Sequence, residues 1–391
     1  MPEPCVSLAP YTIPLHRLPL EDADANAMVA ALKTGLMTGS EAANLRLATL
    51  AQQSLGCLRA FPAPSGTHAL ELMMRALPIA PGDEVILPSF TFVSAANAVI
   101  LAGGRPVLAD IDPATLNLDP TDAAARVTPR TRAILTGHYA GIARGLDELV
   151  SLSTQSGAAL LEDAAHALGG SYRGRALGTW GVAGTYSFHG TKNVVSGEGG
   201  LLVTMDAELA ARAEIIREKG TDRSRFIRGD VDRYTWQMVG SSFLLSEPLA
   251  ALVASQWTRM ERTVAARRRV FDEYQRAFAP LAASGDVTLP AITPGCEPAF
   301  HIYYVRFATA ALRNAAATFL RARGIEASSH FVPLHLSSYA QRELGTRAGD
   351  CPVTEQAADT LLRLPLYPSL DARDQLLVVD AVFAFLGRRP A

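Results

Sequence analysis

The chain has 391 residues, of which 49% are hydrophobic, 19% charged and 7% aromatic, a globular mix with material for a sizeable core. At ~150 residues per domain, the length predicts two domains, or one large domain with a smaller appendage. A formal net charge of −2 argues against a protein that coats nucleic acid through a basic excess, yet leaves room for a local basic pocket.

Taken in chain order, the opening residues lack a basic n-region and an unbroken apolar core, so no signal peptide is expected. No apolar run reaches the ~18 residues of a membrane span, and a soluble cytoplasmic protein is the expectation. Lys33 falls on an amphipathic N-terminal helix. Next comes Pro64-Ser65-Gly66-Thr67-His68, ahead of a helix over Ala69–Leu77. Gly66 allows close backbone approach, and the free N–H groups of a helix start beside two hydroxyls make an anion site. An ordinary Ser/Thr cap satisfying its own helix is the plainer alternative.

Apolar runs over Glu84–Leu87, Pro106–Ala109, Ala133–Thr136, Ala158–Leu161, Gly184–Phe188 and Leu201–Thr204 read as strands. Helical patterns over Ser94–Leu101 and Leu146–Gln155 lie between them, which predicts a mostly parallel sheet covered on both faces. Glu162 and Asp163 stand at the end of one strand, where open α/β sheets hold ligands. A carboxylate there can meet a cationic ring nitrogen; Asp163 as a plain helix cap is the alternative. The run Tyr186–Asn193 carries Lys192 in a polar loop before Gly197-Glu198-Gly199-Gly200.

The long helical pattern from Glu247 to Ala279, Arg-rich from Arg259 to Arg269, reads as a solvated face linking two lobes. Beyond the Pro/Gly-marked stretch 285–298, a smaller α/β lobe is expected: a strand over His301–Phe307, a helix over Ala310–Arg323, a strand over Ser328–Pro333, then helices. The boundary is placed near residue 255, giving domains 1–255 and 256–391. The cysteines Cys5, Cys57, Cys296 and Cys351 are scattered without a CxxC pair, so no disulfide framework or zinc site is suggested.

Only three residues are lysines: Lys33, Lys192 and Lys219. Lys219 ends a charged helix ahead of Gly220, a common place for a solvated cation. Lys192 is therefore the best candidate for a reactive amine. An anion cradle, a strand-end aspartate and a loop lysine are together the parts that hold pyridoxal phosphate.

With these residues in view, the chain resembles the nucleotide-sugar aminotransferases of the DegT/StrS-like group, which are fold-type-I, aspartate aminotransferase-like PLP enzymes. The marks are PGDEVILPSFTFVSAANAV (81–99), HYAG (138–141), EDAAHALG (162–169), YSFHGTKN (186–193), GEGG (197–200), FVPLH (331–335) and LPLYPSL (364–370). The tracts 137–149, 214–229 and 232–246 look like transaminases of dTDP-4-oxo-6-deoxy-D-glucose that use glutamate as amino donor. The resemblance implies a large, mostly parallel sheet domain with a smaller C-terminal α/β domain. It implies Lys192 as the Schiff-base lysine and proton shuttle, with Asp163 on the pyridine nitrogen. His166 would reach the ring 3′-oxygen, Phe92 would stack on the ring, and Gly66, Thr67 and Ser187 would bind the phosphate. Ser242 replaces an Asn that a partner subunit often supplies there, which implies a homodimer with shared sites. The sugar nucleotide would meet His138, Tyr139, His189, Gly197, His330 and His335, with help from the loop Leu36–Ser40. Arg228 is a candidate for pyrophosphate or the donor carboxylate. Neither a metal, nor a nucleic acid, nor a membrane is implied. Gly190, where galactose-type enzymes carry an acid, and a shortened segment before the GEGG tract leave open whether the new amine is axial or equatorial. A 3-oxo-sugar aminotransferase and a non-catalytic PLP-binding regulator are the alternatives.

Overall fold

The computed structural model describes residues 11–18 and 20–389; Cys5 lies outside them. Seven strands build the central sheet: β1 (Arg59–Ala63), β2 (Glu84–Pro88), β3 (Arg105–Ala109), β4 (Thr131–Gly137), β5 (Ala159–Asp163), β6 (Ala183–Ser187) and β7 (Gly200–Thr204). Their order is β1-β7-β6-β5-β4-β2-β3. All pairings are parallel except those of β7, which runs against both of its neighbours. Every carboxyl end of the other six strands therefore points to one edge.

Both faces of the sheet are covered, and so β2, β6 and β7 are buried throughout. The period-2 alternation of strands sorts their side chains. Val85, Leu87, Leu135 and Leu161 enter the core beneath the helix Gly66–Ala76, with Leu70, Met73 and Met74. Ile86, Ile134 and Leu160 point the other way and meet Leu149 of the helix Leu146–Ser156. Ser65 caps the first of these helices by accepting the His68 N–H at 3.1 Å.

The patterned stretch 247–279 is two helices, Glu247–Trp257 and Met260–Ala283, divided at Thr258 and Arg259. The first packs Val253 and Trp257 into the large lobe, and the second puts Val270, Phe271, Tyr274 and Phe278 into the core of the small one. Its arginine run is not wholly solvated. Arg267 is fully buried and donates from Nη1 to the carbonyls of His301 and Leu366, both at 3.2 Å.

In the small lobe, Tyr303–Phe307 pairs antiparallel with Val287–Thr288 and with Leu361–Leu364. The strand expected over Ser328–Pro333 does not form: Ser328 alone bridges, to Arg363. Pro333 has no N–H to give a ladder, and the Leu334 N–H turns to the Ser89 carbonyl of the large lobe at 3.0 Å. The segment thus crosses between lobes instead of extending the sheet. Leu361–Leu364 takes that place, where only helices were expected. The N-terminal stretch also reaches this lobe, since Ile13 bridges Ile325 and joins the same core. Among the described residues, no helix is long and apolar enough to cross a membrane.

Candidate active site

A cavity of about 590 Å³ lies where β1, β2, β4, β5 and β6 end, with residues of the small lobe closing its other side. Its floor comes from the sheet. Beyond β1, the helix Gly66–Ala76 starts with the N–H groups of Gly66 and Thr67 free of any acceptor among the described residues. A Cβ on Gly66 would stand 2.8 Å from the Ser187 Cβ, so only glycine lets β6 lie this close to the helix mouth. Thr67 Oγ1 is 2.7 Å from Ser94 Oγ, which fixes its rotamer beside the free amides.

The two strand-end acids separate by strand alternation. Glu162 points inward and is fully buried, accepting the N–H groups of Gly178 at 2.7 Å and Gly181 at 2.8 Å. It also meets His138 Nε2 at 2.8 Å. Asp163 points into the cavity with one hydrogen bond, from the Ala165 N–H at 3.1 Å. Burial raises its carboxyl above the usual range, countered by that N–H, by Lys192 and by His138. An anion with so few partners is suited to a cationic ring N–H.

Lys192 follows β6 in the loop and also lines the cavity. Desolvation brings its amine down to about 8; Asp163 opposes the shift and Arg363 adds to it. By contrast, Lys219 is largely exposed, with Glu218 at 3.8 Å, and Lys33 closes the helix Asp22–Lys33. Of the three amines, only that of Lys192 lies in the cavity.

The other anticipated residues divide. Phe92, His166, Ser187, Tyr139, His189 and His330 line the cavity. Phe92 is exposed beside Phe331, its ring centroid 6.4 Å away. Tyr139 and His330 meet at 3.3 Å through the hydroxyl and Nδ1. His138 is buried in the wall, with Nε2 on Glu162 and Nδ1 unpartnered. Gly197, at φ +81°, closes the glycine loop back onto the His189–Gly190 turn, whose Gly190 N–H it accepts at 3.0 Å. Three residues are not brought in. His335 is fully buried away from the cavity, between Ser89 Oγ at 2.7 Å and Glu355 at 2.9 Å, so it has no ring nitrogen left for a substrate. Ser242 is exposed and bridges Glu218, outside the cavity of its own chain. Arg228 likewise lies outside, paired with Glu214 at 2.8 Å and Asp230 at 3.1 Å.

Sequence reasoning missed His301 and Arg363. The His301 ring lies 4.5 Å from that of His166, and its Nδ1 is 3.2 Å from Asn193 Oδ1. Burial lowers His166, His301 and His330, and the Lys192 charge lowers each further, so the lysine faces three neutral imidazoles. Arg363 immediately precedes the LPLYPSL tract, and that adjacency was the available signal.

The residues fit pyridoxal phosphate. The amides at Gly66 and Thr67 suit a phosphate, the Asp163 carboxylate suits the ring nitrogen, and the Lys192 amine suits an aldehyde. Comparison with known proteins agrees. Residues 19–383 match the DegT/DnrJ/EryC1/StrS aminotransferase family. GDP-perosamine synthase of Caulobacter vibrioides is 35% identical over 336 residues, 85% of this chain and 86% of that protein. A pleiotropic regulatory protein of Geobacillus stearothermophilus is 33% identical over 338 residues, 86% of this chain and 85% of that one. Among solved structures, DesV of S. venezuelae is 31% identical, with a TM-score of 0.89, over 97% of this chain and 99% of that one. The fold is that of the PLP-dependent aminotransferases, and the chain belongs to the DegT/DnrJ/EryC1/StrS aminotransferase family.

Proposed function

We propose that this enzyme transfers the amino group of L-glutamate to C4 of dTDP-4-oxo-6-deoxy-D-glucose. The product is dTDP-4-amino-4,6-dideoxy-D-glucose or its D-galactose epimer. The chain is a pyridoxal-phosphate-dependent sugar aminotransferase. The observation that carries the reading is the Lys192 amine and the Asp163 carboxylate in one cavity with the Gly66 helix mouth. The tracts 137–149, 214–229 and 232–246 support the 4-oxo sugar.

Bound pyridoxal phosphate supplies an electron sink that lets an amino group leave one carbon and reach another. The amides of Gly66 and Thr67, with the Ser187 hydroxyl, would hold its phosphate. Asp163 would keep a proton on the ring nitrogen, because a nearby anion favours the charged form. Lys192 would be the residue that anchors the group's aldehyde, and its Nζ would take the proton from the donor's α-carbon. The same Nζ would deliver a proton to C4 of the sugar. An amine brought down to about 8 suits both directions near neutral pH. Phe92 would lie against the ring, His166 would reach the 3′-oxygen, and His138, Tyr139, His189, Gly197 and His330 would meet the sugar nucleotide. We also place Ser242 on the phosphate of the partner's site in a cytoplasmic homodimer, and divide the chain into a large PLP-binding domain with the N-terminal segment, 1–255, and a small C-terminal domain, 256–391.

The test is the NMR spectrum of the product formed from dTDP-4-oxo-6-deoxy-D-glucose, glutamate and pyridoxal phosphate. Nitrogen on C4 is expected. Because one relative makes a GDP-linked sugar by name, a GDP-linked 4-oxo sugar belongs in the same assay. Turnover confined to that acceptor, or to a 3-oxo sugar, overturns the substrate assignment. The regulatory relative gives a second reading, a PLP-binding regulator, which would bind DNA and release no 2-oxoglutarate from glutamate.

A further inference from the structure

We infer that His301 is a positioning residue for the reactive amine: through the Asn193 side chain it holds the loop of Lys192 where Nζ can meet an aldehyde. The inference rests on the reading of Lys192 as the anchor of the cofactor. Asn193 follows Lys192 directly and is buried. Its Nδ2 donates to the Ala299 carbonyl at 2.8 Å, which fixes the direction of the amide. The Oδ1 that is left can only accept, and it faces His301 Nδ1 at 3.2 Å, so that nitrogen carries the ring proton. Two residues on, the backbone of Val195 is clasped by Gln256 of the helix Glu247–Trp257, through its N–H at 3.0 Å and its carbonyl at 2.6 Å. Ahead of Asn193 the Lys192 N–H bonds only within its own turn, to the His189 carbonyl at 2.9 Å. The Asn193 side chain is therefore the long-range tie nearest the amine.

The donor at the other end of that tie is itself rigidly aimed. Phe300 holds φ +49°, a left-handed conformation that costs a bulky side chain energy, and its ring is buried edge-on against Phe271 at 5.2 Å. The His301 N–H donates to the Ala140 carbonyl at 3.3 Å, and its own carbonyl accepts from Nη1 of the buried Arg267 at 3.2 Å. A strained residue kept by so many contacts points to a side chain whose direction matters. A lysine side chain is long and turns freely about its carbon bonds, so bond formation at Nζ depends on where its Cα is held.

His301 also packs its ring on His166, with centroids 4.5 Å apart, and lines the cavity. Two substitutions separate the ring from the hydrogen bond. H301N keeps a donor nitrogen on Cγ, where Nδ1 stands, and loses the ring. H301F keeps an aromatic ring and loses the donor.

The test titrates the full-length apoenzyme of each variant, with the unsubstituted protein and K192A beside them. The ligands are pyridoxal phosphate and 4′-deoxypyridoxine 5′-phosphate, which has a methyl group in place of the aldehyde. The ratio of the two affinities reads only what the amine adds. H301F should lose about tenfold in that ratio, the size of one buried hydrogen bond left unmade, while its affinity for the methyl compound stays within about twofold. H301N should keep the ratio within about twofold. N193L, which breaks the same bond from the loop side, should lose it as H301F does, and takes its place if H301F does not fold. An equal loss for both ligands, a ratio unchanged in H301F or N193L, or a loss in H301N overturns the assignment. A ratio unchanged in K192A overturns the anchor reading itself, and so is told apart from failure of His301.

Discussion

The two walls of the cavity are built differently. On the large-lobe side, the groups come from the end of a strand, the first turn of a helix or the loop that follows a strand, and each is placed largely by its neighbours in sequence. Gly66, Asp163, Ser187 and Lys192 all belong to this wall. On the small-lobe side, His301, His330 and Arg363 come from three separate stretches held together by the core around Tyr303 and Tyr367. On the proposed reading, the wall built from local geometry carries the bond-making groups, and the one assembled over long range carries groups that select what enters. Substitutions in the first should therefore strike the chemical step or the cofactor, and those in the second, His301 apart, should strike one substrate at a time.

The largest effect is expected at Lys192. K192A should lose about 10³-fold or more in turnover, the scale of a missing acid–base group that is also the covalent anchor. Turnover at a comparable rate would remove the amine from the mechanism. The apoenzyme gives a pH readout of the same group. Its amine must be neutral to capture the aldehyde, and burial lowers it to about 8, so the rate of cofactor capture should rise with pH and level off above that value. A rise that continues toward the ordinary lysine range would contradict the desolvated setting. Next is D163N, which keeps shape and loses charge. About a hundredfold in turnover is expected, on the scale of one preorganised electrostatic partner. Turnover unchanged in D163N would show that another group holds the ring proton.

What could be read from the sequence follows the same division. Strand ends announce themselves, because apolar runs stop where glycine, serine or an acid begins. Thus β2 to β7 and the helix after Ser65 were legible, as was the scarcity of lysine that singled out Lys192. Arg363 was not, since its place in the cavity wall depends on Leu362 and Leu364 turning into a core formed by a helix some ninety residues earlier. Ser328–Pro333 misled for a related reason. Its residues have strand-like character, but the Leu334 N–H finds the Ser89 carbonyl across the lobes, and no pattern in the segment itself encodes that partner. His335 looked like a ligand because it stands in a marked tract, and only the fold shows both its ring nitrogens already taken.

A smaller effect sharpens the cradle. In G66A, the added Cβ would come within 2.8 Å of the Ser187 Cβ and 3.0 Å of its Oγ, at the place where the phosphate is expected. Alanine is otherwise welcome in a helix, so propensity does not predict unfolding. Cofactor affinity should fall about tenfold, equal to ~1.4 kcal/mol, while the turnover of fully loaded enzyme changes little. Dialysis of the cofactor against buffer, followed by its absorbance, measures this; unchanged affinity would mean the phosphate sits elsewhere.

The smallest effect on chemistry is expected at His335, and it probes the comparison from the other side. The imidazole joins Ser89, just past β2, to Glu355 on the helix Pro352–Thr360, and it holds that position without reaching the cavity. H335A leaves a buried hydroxyl and a carboxylate without their partner, which costs about 1–3 kcal/mol of stability. The Glu355 carboxyl, held below its usual range first by the hydrogen bond from His335 and then by the Gly349 N–H, should rise in the variant. KM for either substrate should stay within about twofold, because nothing the substrate touches has been removed. A thermal melt and steady-state kinetics on the same preparation separate the two roles. A KM for the sugar nucleotide raised tenfold at an unchanged melting temperature would put His335 in the binding site after all, and the inner shell of the large lobe would then take part in recognition.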